Sequence, residues 1–274
     1  MLRTKSVRNL ITGIAIAALT FVSLVPAMSV KAAEMTTTSV TPMAATASAT
    51  AKATTKAATA STSATDELVT ALENHETTIR LTSGSIKYTA SNDNTDQVAA
   101  QVGNYLAAVL NDNPQLFYAK SSGVSFSMNR SNKTVATITP NYTMTASEAA
   151  RATAKMDKAA KKIENKVSSN LTTKQKAKKV NDLLKANMTY KKNVSNCQTA
   201  YGALVQKRGV CQAYAMAYEY IMRDLGVKTT YQLNNDGSHI WNKVYSGGEW
   251  HHVDVTWNDT ARTSQYFWTN SHEM

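Results

Sequence analysis

Cysteine is almost absent from this 274-residue chain, which holds Cys197 and Cys211 and no others. Two thiols cannot build a disulfide-rich scaffold or a four-cysteine zinc site, and no HExxH sequence offers a metal site by another route. Long apolar runs are missing after residue 28, so no later segment is fitted to span a bilayer. No stretch repeats itself, which excludes solenoids and propellers. Acidic residues are missing from 1–32 and aromatic residues from 33–65.

What remains at the N-terminus is basic and then apolar. Arg3, Lys5 and Arg8 precede an apolar run over 10–28 and the small-residue sequence VKAAE, the pattern of a secretory signal peptide over 1–32. Residues 33–65 are almost all Ala, Thr, Ser and Lys, a composition expected to form a disordered linker because it cannot bury enough apolar surface. The expected organisation is a small α/β module over 66–145 followed by a second domain over 146–274. Export implies a secreted or cell-surface location, with no membrane attachment once the signal is cleaved.

The chain carries 30 basic and 19 acidic residues, a net charge of +11. Much of the excess lies in the lysines of 155–192, on a helical pattern. That is a solvated helix face or a surface for an anionic cell-wall polymer. Nucleic acid is not expected, since these lysines are not interleaved with aromatic residues.

Helical spacing marks 66–79 through Leu68, Val69, Leu72 and Ile79, after which TIRLTSGSIKYT alternates like a strand around a Ser-Gly turn. A second helix runs from Asp96 through Val102, Leu106 and Val109 and is stopped by Pro114. Two strands joined at residues 129–133 follow. The capping box of Thr145 and Glu148 then opens a basic helical region that breaks near Ser168 and reaches Tyr190.

Val210, Ala213, Tyr214, Ala217, Ile221 and Leu225 form a helical stripe that stops at Gly226. Cys211 sits in the first turn, where free amides and the helix dipole favour a thiolate below the usual thiol value of about 8.5. The competing reading is a disulfide with Cys197. A thiolate nucleophile needs a base, and the base needs an orienting group. Register arithmetic tests His239, in SHIWNKVY, and Asp254, in VDVTW. A two-residue turn at Gly247-Gly248 pairs Ser246 with Glu249 and makes Asp254 the diagonal neighbour of His239; a longer turn separates them. His252 shares the Asp254 face and is the spare base, whereas His251 points the other way, so the two do not readily share a metal. The backbone amide of Cys211 is one oxyanion donor, with Gln206 and Gln198 as candidates for the second.

The segments AYGALVQKRGVCQAYAMAYEYIMRDLGV, HIWNKVYSGGEWHHVDVTWND and YFWTNSHEM resemble the secreted bacterial branch of the transglutaminase-like superfamily. DNPQLFY and TITPNYT resemble the module that precedes that core, so the likeness covers about 66–274. It implies an α+β, papain-like transglutaminase core, in which a cysteine-bearing helix packs on an antiparallel sheet. It also implies Cys211 as nucleophile, His239 as general base and acid, and Asp254 as orienter, with no cofactor. Ala213 departs from the glycine common at that position, and the short stretch after Tyr266-Phe267 leaves the sheet edge open. The superfamily includes cross-linkers, peptidases, amidases and inactive scaffolds. The expected function is therefore an exported thiol enzyme acting on peptide or amide bonds through an acyl-enzyme. Hydrolysis is favoured over cross-linking, because no long lid follows the Asp254 strand to guard an amine. The alternative is a catalytically silent surface-binding protein.

Overall fold

The computed structural model describes residues 59–60, 62–82 and 85–271. The signal peptide expected at 1–32 and most of the linker expected at 33–65 lie outside the described residues. The ordered body begins earlier than residue 66. Strand β1 is Thr59–Ala60 and helix α1 is Thr62–Glu73, with Ala64 and Leu68 fully buried.

The N-terminal part is a sheet built around β5 (Thr134–Tyr142), with helix α2 (Thr95–Asp112) packed against its long partner β4 (Ala119–Asn129). Strands β2 (Ile79–Arg80) and β3 (Ile86–Lys87) do not pair with each other. Both run antiparallel to β5 and lie end to end along it, Ile79 opposite Ile138 and Ile86 opposite Val135. The expected Ser-Gly turn falls at residues 83–84, outside the described residues. Pro114 ends α2 as expected, and a 3-10 turn, Pro114–Leu116, follows.

The basic region is two helices, α3 (Ala146–Glu164) and α4 (Thr173–Asn187). The Thr145–Glu148 capping box is formed, and Thr172 with Gln175 makes a second one at α4. A parallel pair joins β6 (Thr189–Tyr190) to β7 (Arg208–Gly209), with the short helix α5 (Ala200–Leu204) between them.

Helix α6 is Cys211–Asp224. Its composition is dominated by good helix formers, and it ends in a Schellman motif. Gly226 takes φ +73°, its N–H donates to the Arg223 carbonyl at 3.0 Å, and the Val227 N–H donates to Met222 at 2.9 Å. Tyr214, Tyr218, Ile221 and Met222 are fully buried; burying each apolar side chain of this size stabilises the fold by about 1.5–3 kcal/mol. The helix lies on a four-stranded antiparallel sheet of order β11-β10-β9-β8: β8 is Thr229–Leu233, β9 Ile240–Ser246, β10 Glu249–Val253 and β11 Phe267–Thr269. Gly247 and Gly248 take φ +63° and +91° in the β9–β10 turn, and Ser246 pairs with Glu249 as the two-residue turn requires.

Buried apolar residues form two clusters, one from Leu68 to Ala149 and one from Met156 to Val255. Phe117 packs against both and stacks on Tyr201, with ring centroids 4.7 Å apart. Among the described residues no helix is long and apolar enough to cross a membrane.

Candidate active site

The strand expected to continue through VDVTW ends at Val253, which pairs with Asn242. Residues Val255–Thr260 instead form helix α7, and Asp254 is its N-cap. Its Oδ1 accepts from the Trp257 N–H at 2.9 Å, and its backbone N–H donates to the Tyr266 carbonyl at 2.9 Å. The other carboxylate oxygen, Oδ2, lies 2.6 Å from Nε2 of His239. Asp254 is fully buried, so both oxygens are engaged where water cannot compete. The diagonal placement expected from the register is met, although Asp254 lies just past the ladder.

With Nε2 committed to Asp254, Nδ1 is the ring nitrogen left for Cys211. Burial opposes the imidazolium. The hydrogen bond to Asp254, the hydrogen bond to Cys211 and Coulombic attraction to both outweigh it and hold the His239 pKa up at about 9. The ring also stacks on two indoles. Trp257 stacks at 4.7 Å and 11°, and Trp241 at 5.7 Å and 25°. Orientation of this imidazole is thus fixed by a carboxylate at one nitrogen and by stacking against two aromatic rings.

Cys211 opens α6, and this helix differs from its neighbours. Side chains of Asn94, Thr145, Thr172, Thr199 and Asp254 cap α2, α3, α4, α5 and α7, whereas Val210 gives α6 no side-chain cap. The Ala213 N–H turns back to the Val210 carbonyl at 2.9 Å, and no capping side chain competes for the amides of Cys211 and Gln212 at the start of the turn. Gly209 explains the close fit before the cysteine: a Cβ there would lie 2.4 Å from the Ala213 Cβ and 2.8 Å from the Cys197 carbonyl. That carbonyl accepts the Val210 N–H at 2.8 Å. The expected choice between disulfide and free thiol resolves to two free cysteines, both partly exposed.

Asn242 ties strand β9 to helix α6. It is 1% exposed, and its Nδ2 donates to the carbonyl of Ala215, one helical turn beyond Cys211, at 3.1 Å. Oδ1 of the same side chain is buried without a hydrogen-bond partner. The spare base, His252, accepts the Trp241 indole N–H at Nδ1, 2.7 Å away, and so packs the triad's outer wall. His251 lies on the other face against Trp268, with Nδ1 3.2 Å from Asn270. Among the described residues no group of side chains could hold a metal ion.

Gln198 is exposed, and the Gln206 carbonyl oxygen is buried without a partner. Tyr190 was not singled out by its sequence position. The β6–β7 pairing puts it opposite Gly209, and its phenol is raised above the ordinary tyrosine value by burial first and then by Cys211 and Cys197. Its phenol is protonated at neutral pH, and only the parallel pairing of two short strands brings it to this end of α6.

Residues 157–255 match the profile of the Transglutaminase-like superfamily. A solved structure reported as a "Putative Cysteine Protease from Cytophaga hutchinsonii" is 24% identical, with TM-score 0.32, covering 37% of this chain and 37% of that one. Another, reported as a TGase, is 14% identical, with TM-score 0.34, covering 62% of this chain and 50% of that one. The chain therefore spans half or less of these two proteins. No curated protein matches. Helix α6 and strands β8, β9 and β10 lie within the span that matches this superfamily's profile.

Proposed function

We propose that this protein is a thiol enzyme that acts on peptide or amide carbonyls through an acyl-enzyme at Cys211. The observation that carries the reading is His239, held at 2.6 Å by Asp254 and raised to about pH 9 against its own burial. An imidazolium beside the thiol is placed to give its proton to a leaving nitrogen.

The thiolate Sγ attacks the substrate carbonyl carbon, and the developing oxyanion accepts from the Cys211 N–H of uncapped α6 and from the Tyr190 hydroxyl. His239 gives its Nδ1 proton to the departing nitrogen as the C–N bond breaks, leaving a thioester. Water then attacks the thioester, His239 takes its proton, and the Cys211 thiolate departs with the carboxylic acid released. Asp254 keeps the Nε2 proton in place throughout and holds the one productive tautomer. Water is favoured over an amine as acceptor because the segment after α7 returns to the sheet as β11, paired with β10. Export to the cell surface is part of the same proposal.

An iodoacetamide-type probe at about pH 6, followed by peptide-cleavage and amine-incorporation assays, tests it. Selective labelling of Cys211 with peptide cleavage is the expected result. Equal labelling of Cys197 and Cys211, without turnover, would overturn it in favour of a silent binding protein.

A further inference from the structure

Among the described residues the two large exposed hydrophobic side chains are Tyr190 and Tyr245, and each has a lysine over its ring. Lys192 lies 6.0 Å from the Tyr190 ring and Lys228 lies 4.8 Å from that of Tyr245. Tyr190 stands beside Cys211, and Tyr245 stands at the far end of the strand that His239 precedes.

Along β9, Trp241, Lys243 and Tyr245 share the His239 face of the sheet, and the register sets His252 opposite Lys243 and Trp250 opposite Tyr245. Trp250 meets Tyr245 edge-on at 5.2 Å, with Lys228 at 5.3 Å and Lys243 at 6.0 Å from its ring. The reverse face, Ile240, Asn242 and Val244, is buried. Nearby acids are turned away or engaged: Glu249 has the opposite parity and lies 3.5 Å from His251, and Asp236 accepts the Ser238 N–H at 2.8 Å. An aromatic, positively charged row thus leads from the triad to the hairpin tip.

We infer that this row seats an acidic polypeptide, the part of the substrate adjoining the carbonyl that Cys211 attacks, so the inference rests on the reading above. Alternate side chains of an extended peptide recur about every 6.6–6.8 Å, the spacing of Trp241, Lys243 and Tyr245 along their strand. Carboxylates at that repeat reach Lys243 and Lys228, and apolar side chains between them cover Trp250 and Tyr245.

Binding to the Cys211→Ala protein tests the row without turnover, using a Glu-rich extended peptide, its Gln-for-Glu counterpart and polygalacturonate. The acidic peptide should bind about tenfold more tightly than the neutral one. Lys228→Gln and Lys243→Gln should each weaken it about threefold, and added salt should erase the preference. Equal affinity for the two peptides, or acidic binding indifferent to both lysine variants, would overturn the inference. So would tighter, lysine-dependent binding of polygalacturonate. Thiol labelling and peptide cleavage by the unmodified protein report separately on the catalytic reading, so lysine-dependent binding without Cys211 reactivity would sink that reading and leave the row standing.

Discussion

Helix α6 has a buried titrating group near each end, and the two are raised for opposite reasons. By its N-terminus, burial works against the charged form of His239, and Asp254 and Cys211 overcome it to reach about pH 9. Toward its C-terminal half, burial itself raises Glu219 to about pH 7, against the opposing hydrogen bond of Tyr231 and the charge of Arg223, with Asp112 adding to the rise. A neutral Glu219 suits its surroundings. The Tyr231 hydroxyl donates to its carboxyl and also lies 3.0 Å from the Asn111 carbonyl. The first network sustains a charge and the second expels one. A perturbed value alone marks neither as catalytic; partners that prevail over burial, beside a nucleophile, separate the two.

The largest effect that could break the comparison is on activity. His239→Ala or Asp254→Asn should lower kcat by about 10⁴-fold, whereas Glu219→Gln should change it by less than about twofold. Asparagine caps helices as well as aspartate does, so Asp254→Asn should keep α7 and melt within about 3 °C of the parent. If it unfolds, or retains full activity, Asp254 is not the orienter.

Next in size is the effect of Asn242→Leu, which removes the tie from β9 to the Ala215 carbonyl along with the partnerless Oδ1. A small displacement of Cys211 from His239 should cost about 10²-fold in kcat with KM held and the pH profile of Cys211 alkylation altered. An unchanged alkylation profile would reduce Asn242 to a packing role.

Stability against pH sharpens the contrast further. Glu219 is raised in the folded state from its ordinary 4.5, so the folded protein binds its proton more tightly. Its contribution is fully present below about pH 4.5 and is lost as pH rises through about 7, a loss of about 3 kcal/mol. The stabilising contribution of His239 is present below pH 6.5 and lost as pH rises through about 9. Denaturant titrations across pH should therefore show two windows. Glu219→Gln should flatten the lower and His239→Ala the upper, and a single shared window would refute the distinction.

The smallest expected effect is that of Cys197→Ser, which should leave turnover unchanged. The intact mass of the parent should not change on reduction, and an increase matching a reduced disulfide would show Cys211 consumed.

Much of the site was readable because local rules converge there. Gly247-Gly248 fixes the β9–β10 register, Gly226 ends α6, and the first-turn position of Cys211 follows from the apolar stripe. Helix α7 was missed because Val253, Val255 and Trp257 also satisfy a strand alternation; the Asp254 cap and tertiary contacts decide for the helix. The boundary at residue 66 failed because Ala64 looks like linker in sequence, yet it is buried in the fold. Tyr190 was invisible because its neighbourhood depends on a parallel pairing across the intervening α5 loop. The Thr172–Gln175 box was legible too, just past the break expected near Ser168, where the restart of the helix needs it.

The double engagement of Asp254 gives the molecule an internal clock for its own readiness. One carboxylate grips His239 and the first turn of α7 at once, so fraying of that turn and release of the imidazole are a single opening event. The amide proton of Trp257 is locked by Asp254. Its exchange with deuterated solvent therefore reports on how often the Asp254 contacts open, even with no substrate in hand.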